Sequence, residues 1–390
     1  MTGAASSSSV PLRVGLVAGE ASGDTLGADL INALRKLAPD AEFFGVAGPK
    51  MQAAGCESWE PAESLAVMGL FEVLRDLPRL LRLLARLRRM FLTARPDVFV
   101  GIDAPDTNLR LARSLHAAGI PTVQYVSPQV WAWRQGRAHS IRRAVDLVLC
   151  LLPFEKRFYD EHGIPAEFVG HPLADAIPDM VDRPAARHKL GLDANARVVA
   201  LLPGSRRGEV SRIFPKLLKA AQLLGPDYVY IVPAASTLDA HWMTSFLHRY
   251  NGQPITFTND ARAALRHARV AAVASGTSTL EAALIGTPFA MVYQVAPLTW
   301  TFGRRLVKVD RFAMVNLIAE RDVVPELVQD GFTAERVCAE LQKITPEGSA
   351  RDAMMLGFDE VRHRLRPSDT EGSASERAAR AVLTVLGQAL

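Results

Sequence analysis

Short, nearly unbroken apolar runs recur along this chain, and each gives way to a loop and then to an amphipathic stretch. The first series is RVGLVAG (13–19), FFGVAG (43–48), DVFVGID (97–103), PTVQYVSP (121–128), DLVLCLLP (146–153) and EFVGHP (167–172). Strands that do not alternate polar with apolar are covered on both faces. Helices between them supply that cover, so the pattern predicts parallel sheet. A segment rich in Pro, Asp and Ala (174–187) reads as a linker. A second series follows: VVALLPG (198–204), YVYIVPA (228–234), ITFT (255–258), VAAVAS (270–275) and FAMVYQV (289–295). Since 390 residues exceed what one core usually organises, two domains are expected. The fold class is therefore α/β: two doubly wound, Rossmann-like domains with a cleft between them and helices at the C-terminus. The expected boundaries are a disordered tail (1–12), a first domain (13–175), a second domain (176–345) and closing helices (346–390). Two helical tracts, 333–365 and 373–386, should provide the last of these.

Composition excludes several other classes. Cys56, Cys150 and Cys338 are odd in number and far apart, which argues for reduced thiols and against a disulfide frame or a metal site. Met1 to Ser9 is Ser-rich without a signal peptide's apolar core. No apolar segment approaches the roughly 20 residues that cross a bilayer, so a cytoplasmic protein is expected. A formal net charge of +4 favours anionic partners without choosing among them.

In such a fold ligands bind at the carboxyl ends of the strands, and polar residues gather there. VAAVASGTSTLEAALIGTP (270–288) reads as strand, loop and helix, with Gly286 and Pro288 ending the helix. Its loop, Ser275-Gly276-Thr277-Ser278-Thr279, offers backbone N–H groups and hydroxyls at a helix N-terminus, where an anion is favoured. Glu281 is expected in the first turn, either accepting from a sugar hydroxyl or serving the helix end as a capping residue. Gly204-Ser205-Arg206 follows another strand, and Arg206 or Arg207 suits a diphosphate. Asn316 lies in an apolar context, as a ligand or as a satisfied loop anchor.

In the first half, Gly19-Glu20-Ala21-Ser22-Gly23-Asp24 stands where a dinucleotide fingerprint would be. Without G-x-G-x-x-G or G-K-[ST], nicotinamide chemistry and P-loop phosphoryl transfer are disfavoured. Glu20, Ser22 and Asp24 can face the cleft, or Asp24 can cap the next helix. Asp103 ends its strand and is chosen as general base, although Asp103 or Asp106 could instead cap the helix after Pro105. Trp131 and Trp133 crowd beside Arg134, either holding a sugar or filling core. No D-x-D pair and no H-x-x-x-H spacing occurs, so no metal is called for. Arg75, Arg79, Arg82, Arg86 and Arg89 share one helical face, with Leu77, Leu80, Leu81, Leu84, Leu87 and Phe91 largely opposite. Such a helix lies on an anionic lipid surface or packs its leucines on the sheet.

Nine motifs in order give the chain a resemblance. AGEASGD (18–24), VAGPKMQAAG (46–55), AVMGLFEVL (66–74), VFVGIDAPD (98–106), YVSPQVWAWR (125–134), LPFEK (152–156), LPGSRRGEV (202–210), SGTSTLEA (275–282) and NLIAE (316–320) are similar to the lipid-A-disaccharide synthase family of GT-B glycosyltransferases. The resemblance implies an inverting, metal-free transfer of 2,3-diacylglucosamine from UDP to 2,3-diacylglucosamine 1-phosphate. It implies Asp103 as base and Glu20 near the acceptor, with Ser22, Asp24, Asp106, Trp133 and Arg134 as further acceptor-side candidates. Gly204, Ser205, Arg206, Ser275 to Thr279, Glu281 and Asn316 would hold the donor. With acylated substrates, the arginine helix and Met68, Leu70 and Phe71 become membrane contacts at the cytoplasmic face of the inner membrane. A homodimer exchanging C-terminal segments is also implied. Other GT-B enzymes, such as a UDP-GlcNAc 2-epimerase, and a non-catalytic UDP-sugar sensor are the alternatives.

Overall fold

The computed structural model describes residues 11–65, 70–133, 135–178, 196–235, 237–303, 310–368 and 371–387. Backbone proximity divides the chain into two compact units. One runs to Pro172 and resumes at Arg366; the other is Leu173–Leu365.

The first unit holds β1 (Arg13–Ala18), β2 (Glu42–Ala47), β3 (Cys56–Pro61), β4 (Val98–Ile102), β5 (Thr122–Tyr125), β6 (Leu147–Cys150) and β7 (Ala166–Phe168). They form one parallel sheet in the order β3-β2-β1-β4-β5-β6-β7. The second unit holds β8 (Arg197–Leu202), β9 (Tyr228–Pro233), β10 (Ile255–Thr258), β11 (Val270–Ala274), β12 (Phe289–Tyr293) and β13 (Glu326–Val328). Its parallel order is β10-β9-β8-β11-β12-β13. The alternation of apolar runs and helices thus yields two doubly wound sheets. Two strands, β3 and β13, add to those the apolar runs predict. Both are edge strands with one covered flank, and CESWEP and ELV lack the unbroken apolar run that marks a central strand.

Strand order reverses between β1 and β4 in the first sheet and between β8 and β11 in the second. At such a reversal the connecting helices leave to opposite faces and open a crevice at the strands' carboxyl ends.

The helix Leu70–Ala94 shows how the first sheet is covered. Leu84, Leu87 and Phe91 are buried, and Phe91 meets Trp59, Phe44 and Phe99 with ring centroids 4.9, 6.4 and 5.2 Å away. Emptying such an aromatic site costs about 3–5 kcal/mol, so Phe91→Ala would loosen the helix from the sheet. Arg79, Arg82, Arg86 and Arg89 are exposed on the outer side. Leu81 departs from the expected face and is 46% exposed. The backbone at Leu70, Phe71 and Arg75 is helical, their side chains lie outside the description, and Met68 lies outside the described residues.

The closing segment 346–390 is divided between the units. The helix Ser349–Arg364 belongs to the second, where Arg351 Nη1 donates to the carbonyls of Arg269 (3.1 Å) and Ile344 (3.2 Å). The helix Ala374–Val385 belongs to the first, where Lys36 Nζ meets Glu376 Oε1 at 2.7 Å and Arg377 Nε donates to the Val169 carbonyl at 2.7 Å. The tract expected at 333–365 is two helices, Ala334–Ile344 and Ser349–Arg364. Thr345-Pro346-Glu347-Gly348 breaks it, with Gly348 at φ 144°. All three cysteines are free and buried.

Candidate active site

In the first unit, the reversal point brings the loop after β1 beside the end of β4. The helix after β1 is Ala21–Leu37, so Ser22 and Asp24 fall in its first turn. Glu20 is its exposed, extended N-cap residue. The Ser22 hydroxyl donates to Asp103 Oδ2 at 3.2 Å, which ties the two strand ends together at a carboxylate.

Asp103 sits in a left-handed backbone conformation, φ 52°, followed by Ala104 at φ 38°. At the end of β5, Val126 does the same at φ 74°. A β-branched residue there is a genuine outlier, and each such residue costs about 1–3 kcal/mol unless its surroundings impose it. Two fully buried amides do so. Asn108 Nδ2 donates to the carbonyls of Asp103 (2.8 Å), Ile102 (3.2 Å) and Val17 (3.3 Å). Gln124 Nε2 donates to the carbonyls of Asp103 (3.1 Å), Tyr125 (3.3 Å) and Val126 (3.2 Å). Gly101 makes room for both, since a methyl there would lie 2.7 Å from Asn108 Cβ and 3.1 Å from Gln124 Oε1. Asn108 does not stand out from its own neighbourhood in the sequence, and Gln124 stands out only weakly. The only signal was an amide inside the apolar run VQYV.

Asp24 does not face the crevice. It is 4% exposed, and its two carboxylate oxygens accept from the N–H groups of Lys50 and Met51, both at 2.9 Å. It therefore caps the helix Pro49–Ala53 rather than the start of the helix Ala21–Leu37, in whose first turn it lies. Asp106 is exposed and pairs with Arg137 Nη2 at 2.7 Å, a surface contact of little energetic weight. Trp131 packs, partly buried, against the core, with Phe154 edge-on at 4.7 Å and its Nε1 donating to Glu155 Oε1 at 3.2 Å. Glu155 Oε2 also accepts from the N–H groups of Leu151 and Leu152, and burial still pushes this carboxyl up to about 7. Trp133 closes the short helix Val130–Trp133, its side chain outside the description, and Arg134 lies outside the described residues.

In the second unit a cavity of about 250 Å³ opens at the carboxyl ends of β8, β9 and β11. Gly204 and Ser205 form one wall, Pro233, Ala234 and Ala235 a second, and Ser275 to Ser278 a third. The helix there runs from Thr277 to Ile285 with Gly276 as N-cap residue at φ 142°. The Thr279 N–H already donates to the Gly276 carbonyl at 3.1 Å, whereas the Thr277 and Ser278 N–H groups precede the helix's own hydrogen-bond ladder and so can meet an anion. Thr277 and Ser278 line the cavity. Thr279 is buried and donates to the Gly276 carbonyl at 2.7 Å, and the Ser275 hydroxyl donates to the Phe312 carbonyl at 3.0 Å.

Three expectations about donor contacts change. Because the helix starts at Thr277, Glu281 is in its second turn, where Oε1 accepts from Arg262 Nε at 2.8 Å. Asn316 is fully buried and saturated: it donates to the Val324 carbonyl and Glu326 Oε1, and accepts from the N–H groups of Val323 and Val324, all at 2.8–2.9 Å. It is a loop anchor with nothing left to offer a ligand. Glu209, quoted within LPGSRRGEV but not singled out, reaches back under the loop, where Oε2 accepts from the Ser205 N–H at 3.1 Å. A side chain at Gly204 (φ 108°) would collide with it. Burial raises the Glu209 carboxyl, while its bonds to the Ser205 and Arg206 backbones oppose that. The N–H groups of that loop therefore serve Glu209. Of the adjacent arginines, Arg207 stacks on Trp242 at 4.9 Å, whereas Arg206 is exposed at the helix start.

Two parallel doubly wound units, each with polar loops at its strand-order reversal, define the GT-B class. Solved structures share this fold at low identity. A kitacinnamycin glycotransferase aligns with TM-score 0.61 at 17% identity over 97% of this chain and 100% of its own. A putative UDP-N-acetylglucosamine 2-epimerase from Listeria monocytogenes aligns with TM-score 0.62 at 12% identity over 97% of this chain and 96% of its own. Within that class the chain belongs to the lipid-A-disaccharide synthetase family, whose model matches residues 14–382. It is 50% identical to the lipid-A-disaccharide synthase of Koribacter versatilis, over 96% of this chain and 98% of that one. The synthase of Pseudomonas aeruginosa strain UCBPP-PA14 is 48% identical, with the same coverage.

Proposed function

We propose that this protein is the glycosyltransferase that makes the lipid A disaccharide, and that full-length similarity to lipid-A-disaccharide synthases is the observation that carries the reading. The donor is UDP-2,3-diacylglucosamine and the acceptor 2,3-diacylglucosamine 1-phosphate. Asp103 takes the proton of the acceptor's 6-hydroxyl as that oxygen bonds to the donor's anomeric carbon. The bond from that carbon to the UDP oxygen breaks, the configuration inverts, and UDP leaves with the electron pair. Support for Asp103 comes from its place at the strand-order reversal and its hydrogen bond from Ser22. Glu20, beside it in sequence at the exposed helix start, serves the acceptor.

The second unit holds the leaving group. The Thr277 and Ser278 N–H groups at the start of the helix Thr277–Ile285, with the hydroxyls of the same two residues, favour the diphosphate. The Arg206 guanidinium meets the charge that grows on it. Glu281 is kept as a ribose contact through the oxygen not bonded to Arg262, while Asn316 fixes the loop.

The acceptor and donor are acylated, and the exposed arginines of the helix Leu70–Ala94 suit an anionic lipid surface, here the cytoplasmic face of the inner membrane. Among the described residues no helix is long and apolar enough to cross a membrane. Homodimerisation through C-terminal segments remains part of this reading and is checked by sedimentation equilibrium. Incubation with both substrates, followed by mass spectrometry, should give the β-1,6-linked disaccharide 1-phosphate and UDP in equal amounts. UDP release without disaccharide would sink the assignment.

A further inference from the structure

We propose that Gln124 and Asn108 are positioning residues for the Asp103 carboxylate, holding the ends of β1, β4 and β5 in the one arrangement that presents it; this rests on the reading of Asp103 as the base.

Both amides give their protons to the same Asp103 carbonyl, from opposite neighbours. Asn108 comes from the helix Pro105–His116 and also reaches the last turns of β1 and β4 through Val17 and Ile102. Gln124 comes from β5 and also reaches Tyr125 and Val126. Six carbonyl contacts thus converge on two side chains, five of them different carbonyl groups at strand ends. Four of those five carbonyls, Ile102, Asp103, Tyr125 and Val126, belong to or flank the non-glycine residues Asp103, Ala104 and Val126, whose φ is positive.

A purely structural role does not explain the orientation of these groups. Both side chains are 0% exposed, yet Asn108 Oδ1 and Gln124 Oε1 accept no hydrogen bond. Interior packing alone would favour an apolar residue of the same size over an amide with an unmet acceptor. What the amides supply is N–H donors aimed at the carbonyls of strand ends that meet around the left-handed residues Asp103 and Val126. Without them Asp103 can relax toward ordinary φ. Its side chain would then swing away from Ser22, and general-base geometry is sensitive to displacements on the order of an ångström.

The test uses the full-length enzyme with both lipid substrates. Gln124→Met keeps the volume and removes the donors. The expected result is a kcat about 10- to 100-fold lower, with both KM values within about twofold of wild type. In an Asp103→Ala background the same substitution should lower the residual rate no further, because Gln124 acts only through Asp103. Asn108→Leu is the independent second probe and should behave likewise. If Gln124→Met loses its native circular dichroism, Gln124→Asn, which keeps the donors but retracts them, is read in the same way. Unchanged kcat in folded variants, or losses that multiply with that of Asp103→Ala, would overturn the proposal. Full turnover by Asp103→Ala alone would instead refute the base assignment, a different outcome.

Discussion

The hydroxyl of Ser22 donates to Oδ2 of Asp103 at 3.2 Å, across 81 positions of sequence. The contact joins the helix start after β1 to the end of β4, the two strands between which the first sheet reverses its order. A hydroxyl donor steadies a carboxylate in one rotamer while leaving its other oxygen to receive a proton. Replacing Asp103 with Ala should lower disaccharide synthesis by about 10²–10⁴-fold while UDP affinity, measured by calorimetry, holds. Ser22→Ala should cost far less, roughly tenfold or under, because the carboxylate itself remains. A larger loss from Ser22 than from Asp103 would exchange their roles.

The two arginines of LPGSRRGEV should separate cleanly. Arg207 is committed to the face of Trp242, while Arg206 stands exposed at the helix start. Arg206→Ala is expected to weaken UDP binding roughly 10- to 100-fold, the scale of a charge-assisted hydrogen bond. Arg207→Ala should lower the thermal midpoint with little change in UDP affinity. Calorimetric titration of UDP into both variants checks this, and equal losses would count against it.

Glu155 sets a stability-versus-pH signature. Its carboxyl is raised from the ordinary 4.5 to about 7 because burial disfavours the charged form. The native state therefore holds a proton that the unfolded chain releases. That contribution is complete below about 4.5 and is lost as pH rises through about 7, an effect on the order of 3 kcal/mol. His171, held down to about 4 by burial, works oppositely: its contribution is lost as pH falls from 6.5 toward 4. Comparing wild type with Glu155→Gln isolates the glutamate. The difference between their urea midpoints should change in the variant's favour from pH 5 to pH 8, and a pH-independent difference would contradict the assignment.

Membrane attachment is a separate matter from chemistry. Arg79, Arg82 and Arg86 are exposed, with Arg86 paired to Glu60 and Arg82 bonded to the Pro78 carbonyl at 3.2 Å. Each cation near an anionic surface contributes about 1 kcal/mol. Changing all three to Gln should release the protein from vesicles containing anionic lipid, more so at low salt. Sedimentation unaltered by the triple change would leave the helix with packing alone.

Much of this molecule could be read directly from residue order. The apolar runs specified the central strands because a strand buried on both faces must be apolar throughout, a local property visible without partners. The choice of Asp103 at a strand end, and of Ser275 to Thr279 at a helix start, followed from the same local grammar. What local pattern could not decide was which polar groups already had partners. Asp24, Glu281 and Asn316 carry the right chemistry for a site, yet Lys50 and Met51, Arg262, and the Val323–Glu326 segment claim them. Gln124 and Asn108 were hard to read for the opposite reason: their role depends on strand-end carbonyls around left-handed residues, which only folding brings to them. The edge strands β3 and β13 were missed because an edge needs apolar character on fewer sides. Sequence determined the layers and the strand ends, since each is set by hydrophobic burial within a few residues. The tertiary structure alone decided which side chains there remain available, because hydrogen-bond saturation depends on groups that only folding brings within about 3 Å.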